Sequence, residues 1–166
     1  MIIDWDALFG LTNAIALAAW VSLAVLPRRE GVLTAVLWGG VGLLCLAYAA
    51  MFVGLTSGTF NPGRDTPAPP FTYTVEGLRA AFAARGTIVV AWTHFLAFDL
   101  FVGLWIARDA DQRRVGRLVQ LPFLFATFMA GPIGLAAWLI LRRPLTRATA
   151  LDTGPGAGMM PGGRVP

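Results

Sequence analysis

The chain has 166 residues, of which 57% are hydrophobic and 13% charged, a composition too apolar for an ordinary soluble domain. Its net charge of +4 comes from thirteen arginines without a lysine. Because these arginines lie in the polar connections, they indicate membrane interfaces rather than a nucleic-acid surface. One cysteine, Cys45, and one histidine, His94, exclude an intrachain disulfide and are too few for a familiar zinc or iron–sulfur centre.

The first two apolar runs predict transmembrane helices over residues 7–26 and 32–55. In the first run Gly10, Ala14 and Ala18 recur at every fourth residue, a stripe of small side chains that permits close helix contact. We therefore expect this stripe to pack against another helix, and we favour the third span as that helix.

Two polar side chains in these runs are open to two interpretations. Asn13 lies beside the small-residue stripe, and its amide needs a polar partner in hydrocarbon, which Asp99 or His94 can supply. A structural hydrogen bond between helices is the simpler interpretation, and a role in a functional site is the more specific one. Tyr48 in the second run likewise either finds a local partner or lends its hydroxyl to a site.

The connection after the second run divides into two parts. Its first part is rich in Gly, Pro and Thr, which predicts irregular structure. Thr74 then precedes a stretch with Leu78 and Phe82 on one side, which predicts an amphipathic helix over 75–84, capped by Thr74 and lying at the membrane interface. Such a helix either shields the end of a bundle or forms a lid over a lipophilic site.

The third predicted span, residues 87–107, concentrates the polarity of the chain. It contains His94 and Asp99, and a carboxylate near the middle of a span costs roughly 2.5–3.5 kcal/mol on insertion. We therefore expect Asp99 to face inward, on the side that Gly103 and Ala107 keep small. His94 lies about 140° away around the helix, so joint action of the two groups needs the surrounding helices.

A fourth span is predicted over 118–141, followed by a flexible tail over 149–166 that is rich in Gly, Pro and Met. Pro132 removes a backbone donor, which predicts a kink that either serves packing or opens a pocket at mid-depth. Thr127 is placed to help satisfy the freed backbone group. Residues 1–148 would form one domain.

These elements predict an all-α membrane protein, a four-transmembrane-helix bundle with a short amphipathic interfacial helix before the third span. Four spans place both termini on one side of the membrane. The connections after the first and third spans then hold six arginines, against seven in the long connection and the tail. The positive-inside rule therefore gives no orientation.

Two consecutive segments resemble the neoxanthin-synthase-like family of four-helix membrane proteins, also called the abscisic-acid-deficient-four family: AWTHFLAFDLFVGLWIARDA and LVQLPFLFATFMAGPIGLAAWLILR. The earlier segments LFGLTNAIALAAWVSLAVLP and FTYTVEGLRAAFAARG fit the same family. The resemblance covers roughly residues 7–143 and leaves out the Pro-rich first half of the long connection and the tail. It places Asn13, His94, Asp99 and Asp109 on characteristic polar positions of the family.

The resemblance implies that the protein acts on or binds a carotenoid or another isoprenoid. The plant member is required to make neoxanthin from violaxanthin, an isomerisation that opens an epoxide and creates an allene. Opening the epoxide needs an acid on its oxygen, and forming the allene needs a base for a carbon-bound proton. Asp99 can be the acid and His94 the base, or the roles can be reversed.

The predicted site accordingly has catalytic and binding residues. His94 and Asp99 are the catalytic candidates. No metal and no cofactor are predicted, because a haem would have His94 as its only protein ligand. The predicted substrate-binding residues are one amide and four aromatic side chains that suit a polyene: Asn13, Tyr48, Trp92, Phe98 and Trp105.

The expected partners are membrane lipids and a lipophilic polyene, as substrate or pigment, with no nucleic acid. The expected location is the bacterial inner membrane, as a multi-pass protein. The competing interpretation is a non-catalytic pigment- or lipid-binding subunit of an oligomer or larger membrane assembly, in which Asp99 bonds Asn13 and holds two helices together. A transporter or channel is disfavoured, because one buried acid and no internal repeat offer little pathway.

Overall fold

The computed structural model describes residues 3–63 and 72–146, and the helical backbone as far as residue 152. These residues contain no strand. Three helices are long and apolar enough to cross a bilayer, and they correspond to the first three predicted spans. The helices are α1 (Trp5–Val25), α2 (Glu30–Thr56), α3 (Val75–Ala81), α4 (Arg85–Gln112), α5 (Arg117–Met129) and α6 (Gly131–Asp152).

The central helix is α4, which packs against α1, α2, α5 and α6. At its middle it meets α1 and α2 at a single glycine. A Cβ atom on Gly40 would lie 2.8 Å from Cβ of Ala19 and 2.9 Å from Cδ2 of Leu100, so only glycine lets the three helices approach this closely. Around this point α2 widens into a π-helix over Val36–Gly42.

The face of α1 that packs inward is not the predicted one. Gly10, Ala14 and Ala18 are exposed, and nothing lies within 4 Å of a Cβ atom on Gly10. The contact with α4 is instead made by a large side chain, since the Trp20 ring occupies the place that a Cβ atom on Gly103 would take. The expectation that the small stripe faces the third span was therefore wrong, because the small residue at this contact belongs to the partner helix.

A left-handed residue turns the chain back after α4. Arg114 has φ 58°, its N–H donates to the Asp111 carbonyl at 3.0 Å, and the Val115 N–H donates to the Ala110 carbonyl at 3.0 Å. This is the Schellman pattern of a helix C-terminus, and the buried Val115 side chain completes it. The reversal sends α5 back along α4.

Residues 118–141, predicted as one kinked span, form a helical hairpin. The Phe123 and Trp138 rings meet edge-to-face with centroids 5.3 Å apart, and Gly134 packs on Thr127. These residue pairs share one antiparallel register, so α6 runs back along α5.

Contacts with α4 give the direction of the second arm of this hairpin. At the tip, Gly131 packs on the Asp99 side chain. Seven residues later, the Trp138 indole N–H donates to Oδ2 of Asp109, at 3.0 Å. Because Asp109 lies near the end of α4 from which α5 starts, the second arm returns to that end. The described part of this segment is therefore a hairpin along the second half of α4 and not one continuous helix.

The hairpin turns at one residue. Ala130, with φ −157° and ψ 80°, separates the two helices. Pro132 then lies in the first turn of α6, where its missing N–H has no intrahelical partner to lose. The proline expected to kink a helix thus helps to start one. Thr127 donates to the Phe123 carbonyl at 2.7 Å, which is an ordinary bond within α5.

Two carboxylates at the end of α4 hold the surrounding helices. The first, Asp109, accepts from Nε of Arg113 at 2.9 Å and from Trp138, and Nη1 of Arg142 lies 3.7 Å away. It therefore binds the second arm of the hairpin. The second, Asp111, accepts from Nη1 of Arg28 at 3.0 Å.

The Arg28 guanidinium connects three elements. Its Nη1 donates to Asp111, to the Ala107 carbonyl at 3.1 Å and to the side-chain oxygen of Gln120. Gln120 in turn donates to Asp111 at 3.1 Å and to the Val115 carbonyl at 2.7 Å. Only 5% of the Arg28 side chain is exposed, and this burial lowers the pKa of its guanidinium, an effect that Asp111 opposes. The group joins the α1–α2 turn, the end of α4 and the start of the hairpin.

Thr74 caps α3 as predicted, because its hydroxyl accepts from the Gly77 N–H at 3.0 Å. The helix ends at Ala81, three residues before the predicted end. The apolar side chains of Leu78 and of Phe82, the residue after the helix, are exposed. The helical backbone of α6 continues past residue 149 to Asp152. The rest of the predicted tail, 153–166, and the Pro-rich residues 64–71 lie outside the described residues.

The hairpin contact predicts opposite effects for two glycine substitutions. A Cβ atom at residue 134 would overlap the backbone of Thr127, so Gly134→Ala should lower the free energy of unfolding by about 1–3 kcal/mol. Gly10→Ala, in open space on α1, should be neutral or stabilise by up to about 1 kcal/mol. Thermal unfolding in mild detergent measures both. Equal melting temperatures for the two variants would contradict the close approach of α5 and α6.

The ion pair between the buried Arg28 and Asp111, whose side chain is 37% exposed, predicts that Asp111→Ala destabilises the protein by about 1–3 kcal/mol, because the Arg28 charge stays buried with one partner fewer. The matched control is Asp6→Ala, whose pair with Arg85 spans 3.4 Å between side chains that are 85% and 70% exposed. That substitution should cost about 1 kcal/mol or less. Denaturation of both variants in the same detergent tests the difference, and an equal loss would show that the Arg28 pair is no more than a surface contact.

Candidate functional site

A groove of about 410 Å³ opens on the outside of the bundle between α2 and α4. His94 lines it, with the Tyr48 ring at 5.6 Å and the Phe95 ring at 6.0 Å between centroids. Tyr48 stacks on Phe52 at 5.8 Å, and Phe82, next to α3, also lines the groove. The groove is therefore apolar and aromatic, with an imidazole and a phenol as its ionisable groups among the described residues.

The groove continues along α4 as a row of exposed aromatic side chains. Phe98 contacts His94 with ring centroids 4.5 Å apart, and Phe101 and Trp105 follow on the same face of the helix. The row from His94 to Trp105 extends about 16 Å along the helix axis, at about 1.5 Å per residue. At its far end the Arg142 guanidinium lies 5.9 Å from the Trp105 ring. We call the groove and this row the aromatic trough.

Asp99 lies on a different side of α4. Its carboxylate packs against Gly131, at the tip of the hairpin, where a Cβ atom would overlap it. As expected, this side chain packs against another helix, and it is half-buried there. The position is the N-terminus of α6, where the helix dipole favours a negative charge. Asp99 does not line the groove that contains His94.

Asn13 pairs with neither of its two expected partners. Its side-chain oxygen accepts from the Trp92 indole N–H at 3.1 Å, and its amide donates to the Phe9 carbonyl at 2.7 Å. The reason is the register of two parallel helices. Residues of α1 lie level with residues of α4 that are 79 positions later, so Asn13 is about 10 Å along the axis from Asp99.

The structure thus divides the residues predicted for one site. Tyr48, His94 and Phe98 come together, and Trp105 lies at the other end of the same trough. Asn13 and Trp92 form a separate pair between α1 and α4, and Asp99 lies at the hairpin tip.

Sequence reasoning missed Phe52 and Phe82 as lining residues of the groove. The signal for Phe52 was its position four residues after Tyr48 on one helix face. Phe82 was visible as an apolar residue of the amphipathic stretch, but its place beside α4 depends on the fold of the connection.

The trough can hold an elongated apolar molecule and exchange protons with it at one end. An imidazole can take or give a proton, and a phenolic hydroxyl can donate one. Within the described residues, no group of three or more His, Cys, Asp or Glu side chains is placed to hold a metal ion.

Comparison with known families gives one match. The family model described as ABA4-like, ABA DEFICIENT 4-like, matches residues 7–138, which include the trough, the hairpin tip and the start of α6. No curated protein and no solved structure matches the chain. Because the family match covers most of the sequence, the chain belongs to the ABA4-like family.

Proposed function

We propose that this protein is an integral membrane protein that binds a carotenoid or a related isoprenoid along the aromatic trough and isomerises it as a neoxanthin-synthase-like enzyme. Family membership supports the substrate class. One observation carries the proposal, namely that the single histidine stands in an apolar groove on the side of the bundle that would face lipid.

A polyene fits the shape and the chemistry of the trough. Its conjugated chain is long, stiff and apolar, and the row from His94 to Trp105 offers aromatic rings over a comparable stretch. A lipophilic substrate can enter sideways from the bilayer because the groove is open on that side. The end group of the polyene would then lie beside His94 and Tyr48.

The isomerisation needs two proton transfers that leave the composition of the substrate unchanged. A base takes a proton from carbon while an acid adds one to the epoxide oxygen, and the epoxide C–O bond breaks as the allene forms. We assign the base to His94 and the acid to the hydroxyl of Tyr48, because both side chains line the same groove. Asp99 as the acid would require the substrate to reach the hairpin tip.

In the bilayer, we propose, α1, α2 and α4 cross and the α5–α6 hairpin enters to mid-depth and returns. This arrangement replaces the predicted four-span bundle. The short helix α3 would lie at the interface with its exposed apolar side chains, Leu78 and Phe82, in the lipid. Phe82 would then cover one end of the groove. The bacterial inner membrane remains the expected location.

A second candidate function is pigment or lipid binding without chemistry. The open groove favours it, since it positions a bound molecule less closely than an enclosed active site does. Separation of His94 from Asp99 points the same way. In that case the protein would be a subunit of an oligomer or of a larger membrane assembly.

Substitutions in the groove distinguish the two functions. His94→Phe keeps an aromatic ring and Tyr48→Phe removes only a hydroxyl, so both variants should still bind polyene while conversion falls by roughly 10²–10⁴-fold. Trp38→Phe, at an exposed position of α2 outside the groove, is the control and should convert normally. Pigment analysis of a carotenoid-producing host and the visible spectrum of the purified protein give the two readouts. Normal conversion by His94→Phe would remove the base role from His94. Wild-type protein that carries polyene without converting it would leave only the binding function, and wild-type protein that neither carries nor converts polyene would remove both functions.

Asp99 substitutions test where the acid lies. Asp99→Asn keeps a polar side chain of the same shape at the N-terminus of α6, so stability and pigment conversion should both stay near the wild-type level. Asp99→Leu places a bulkier apolar group against Gly131 and should lower the melting temperature. Loss of conversion in a normally stable Asp99→Asn protein would return the acid role to Asp99.

A further inference from the structure

The two ends of the bundle carry different charges. At the end where α1 and α4 finish and the hairpin begins and ends, the described side chains include eight arginines: Arg28, Arg29, Arg108, Arg113, Arg114, Arg117, Arg142 and Arg143. We call this the arginine end. The opposite end has only Arg79 and Arg85 among the described residues, together with the carboxylates of Asp4, Asp6 and Glu76.

The carboxylates of the arginine end do not neutralise its surface. Asp109 and Asp111 are engaged with Arg113 and Arg28, as described above. Glu30 is the remaining acidic residue there among those whose side chains the structure describes. The exposed arginines, which include Arg29, Arg114 and Arg143, therefore give this end a net positive surface.

This asymmetry depends on the hairpin. A crossing helix over residues 118–141 would carry Arg142 and Arg143 to the opposite end and reduce the difference among the described arginines from eight against two to six against four. The contacts of Arg142 with Asp109 at 3.7 Å and with the Trp105 ring at 5.9 Å place it at the arginine end instead.

We propose that the chain crosses the bilayer three times and that its arginine end binds the anionic phospholipid headgroups of the cytoplasmic leaflet. Arginine-rich connections stay on the cytoplasmic side during insertion, and guanidinium groups form paired hydrogen bonds with phosphate. The end of α1 that begins at Trp5 then lies on the opposite side of the membrane. This inference rests on the membrane arrangement proposed above but not on what the trough binds or converts, because it concerns the charge of one end of the bundle.

Single-cysteine labelling tests the topology. Three variants in a Cys45→Ser background each place one thiol at an exposed position. Ser57→Cys follows α2 at the end opposite the arginine end, whereas Gly116→Cys follows α4 and Pro144→Cys lies in α6, both at the arginine end. In intact cells a membrane-impermeant maleimide should label only Ser57→Cys, and lysis should expose the other two. Labelling of Ser57→Cys and Pro144→Cys from the same side would overturn the three-crossing topology.

The dependence of the melting temperature on anionic lipid tests whether the arginine end binds headgroups. In nanodiscs, replacing part of the phosphatidylcholine by phosphatidylglycerol should raise the melting temperature of the wild type, and high salt should remove the rise. The variant Arg29→Gln/Arg114→Asn/Arg143→Gln should lose most of this rise. The control Arg79→Gln/Arg85→Gln removes charge at the opposite end and should keep it.

Inorganic phosphate added to phosphatidylcholine nanodiscs distinguishes a headgroup from a free anion and should not reproduce the rise. An equal effect of phosphate would overturn the lipid surface. Headgroup binding would also be overturned if phosphatidylglycerol did not raise the melting temperature of the wild type, or if it raised that of the triple variant by the same amount.

Discussion

The arrangement of the helices depends on the buried guanidinium of Arg28. It lies in the turn between α1 and α2 and reaches Asp111 at the end of α4 and Gln120 in the first turns of α5. In a poorly hydrated environment these charge-assisted bonds are stronger than in water, and an unpaired charge would be costly. With Asp109 holding Trp138 and Arg142, the end of α4 binds both arms of the hairpin. These contacts stabilise the hairpin in its place beside the second half of α4.

The length of the hairpin determines which part of α4 remains uncovered. Its tip lies level with Asp99, so the hairpin packs beside the second half of α4 and leaves the first half outside its reach. His94 lies on that first half, and its neighbours Phe95 and Phe98 are exposed there because the hairpin does not reach them. A helix that crossed the whole bilayer would extend past this region. The groove beside His94 is lined by residues of α2, α4 and Phe82, and no residue of the hairpin lines it.

The two polar groups of α4 satisfy different requirements. Asp99 is half-buried against the hairpin tip, where the start of a helix stabilises a carboxylate. His94 is at the outer surface among aromatic rings, where a lipophilic molecule has direct access to it. Five residues separate the two on one helix, but their sides differ by about 140°. A site shared by the two side chains would need a neighbouring element that contacts both sides of α4. The hairpin contacts Asp99 but does not line the groove of His94.

The sequence by itself determined the helical class, the three long apolar helices, the Thr74 cap, the inward orientation of Asp99 and the family, because these depend on local composition, periodicity and motif. Only the tertiary structure decided three further points. A run of about 24 apolar residues has the length of one crossing or of a hairpin, and the backbone angles of Ala130 together with the Asp109 contacts select the hairpin. The inward face of α1 depends on a tryptophan fitting over a glycine of another helix. The partner of Asn13 depends on the register of two parallel helices, which no single segment records.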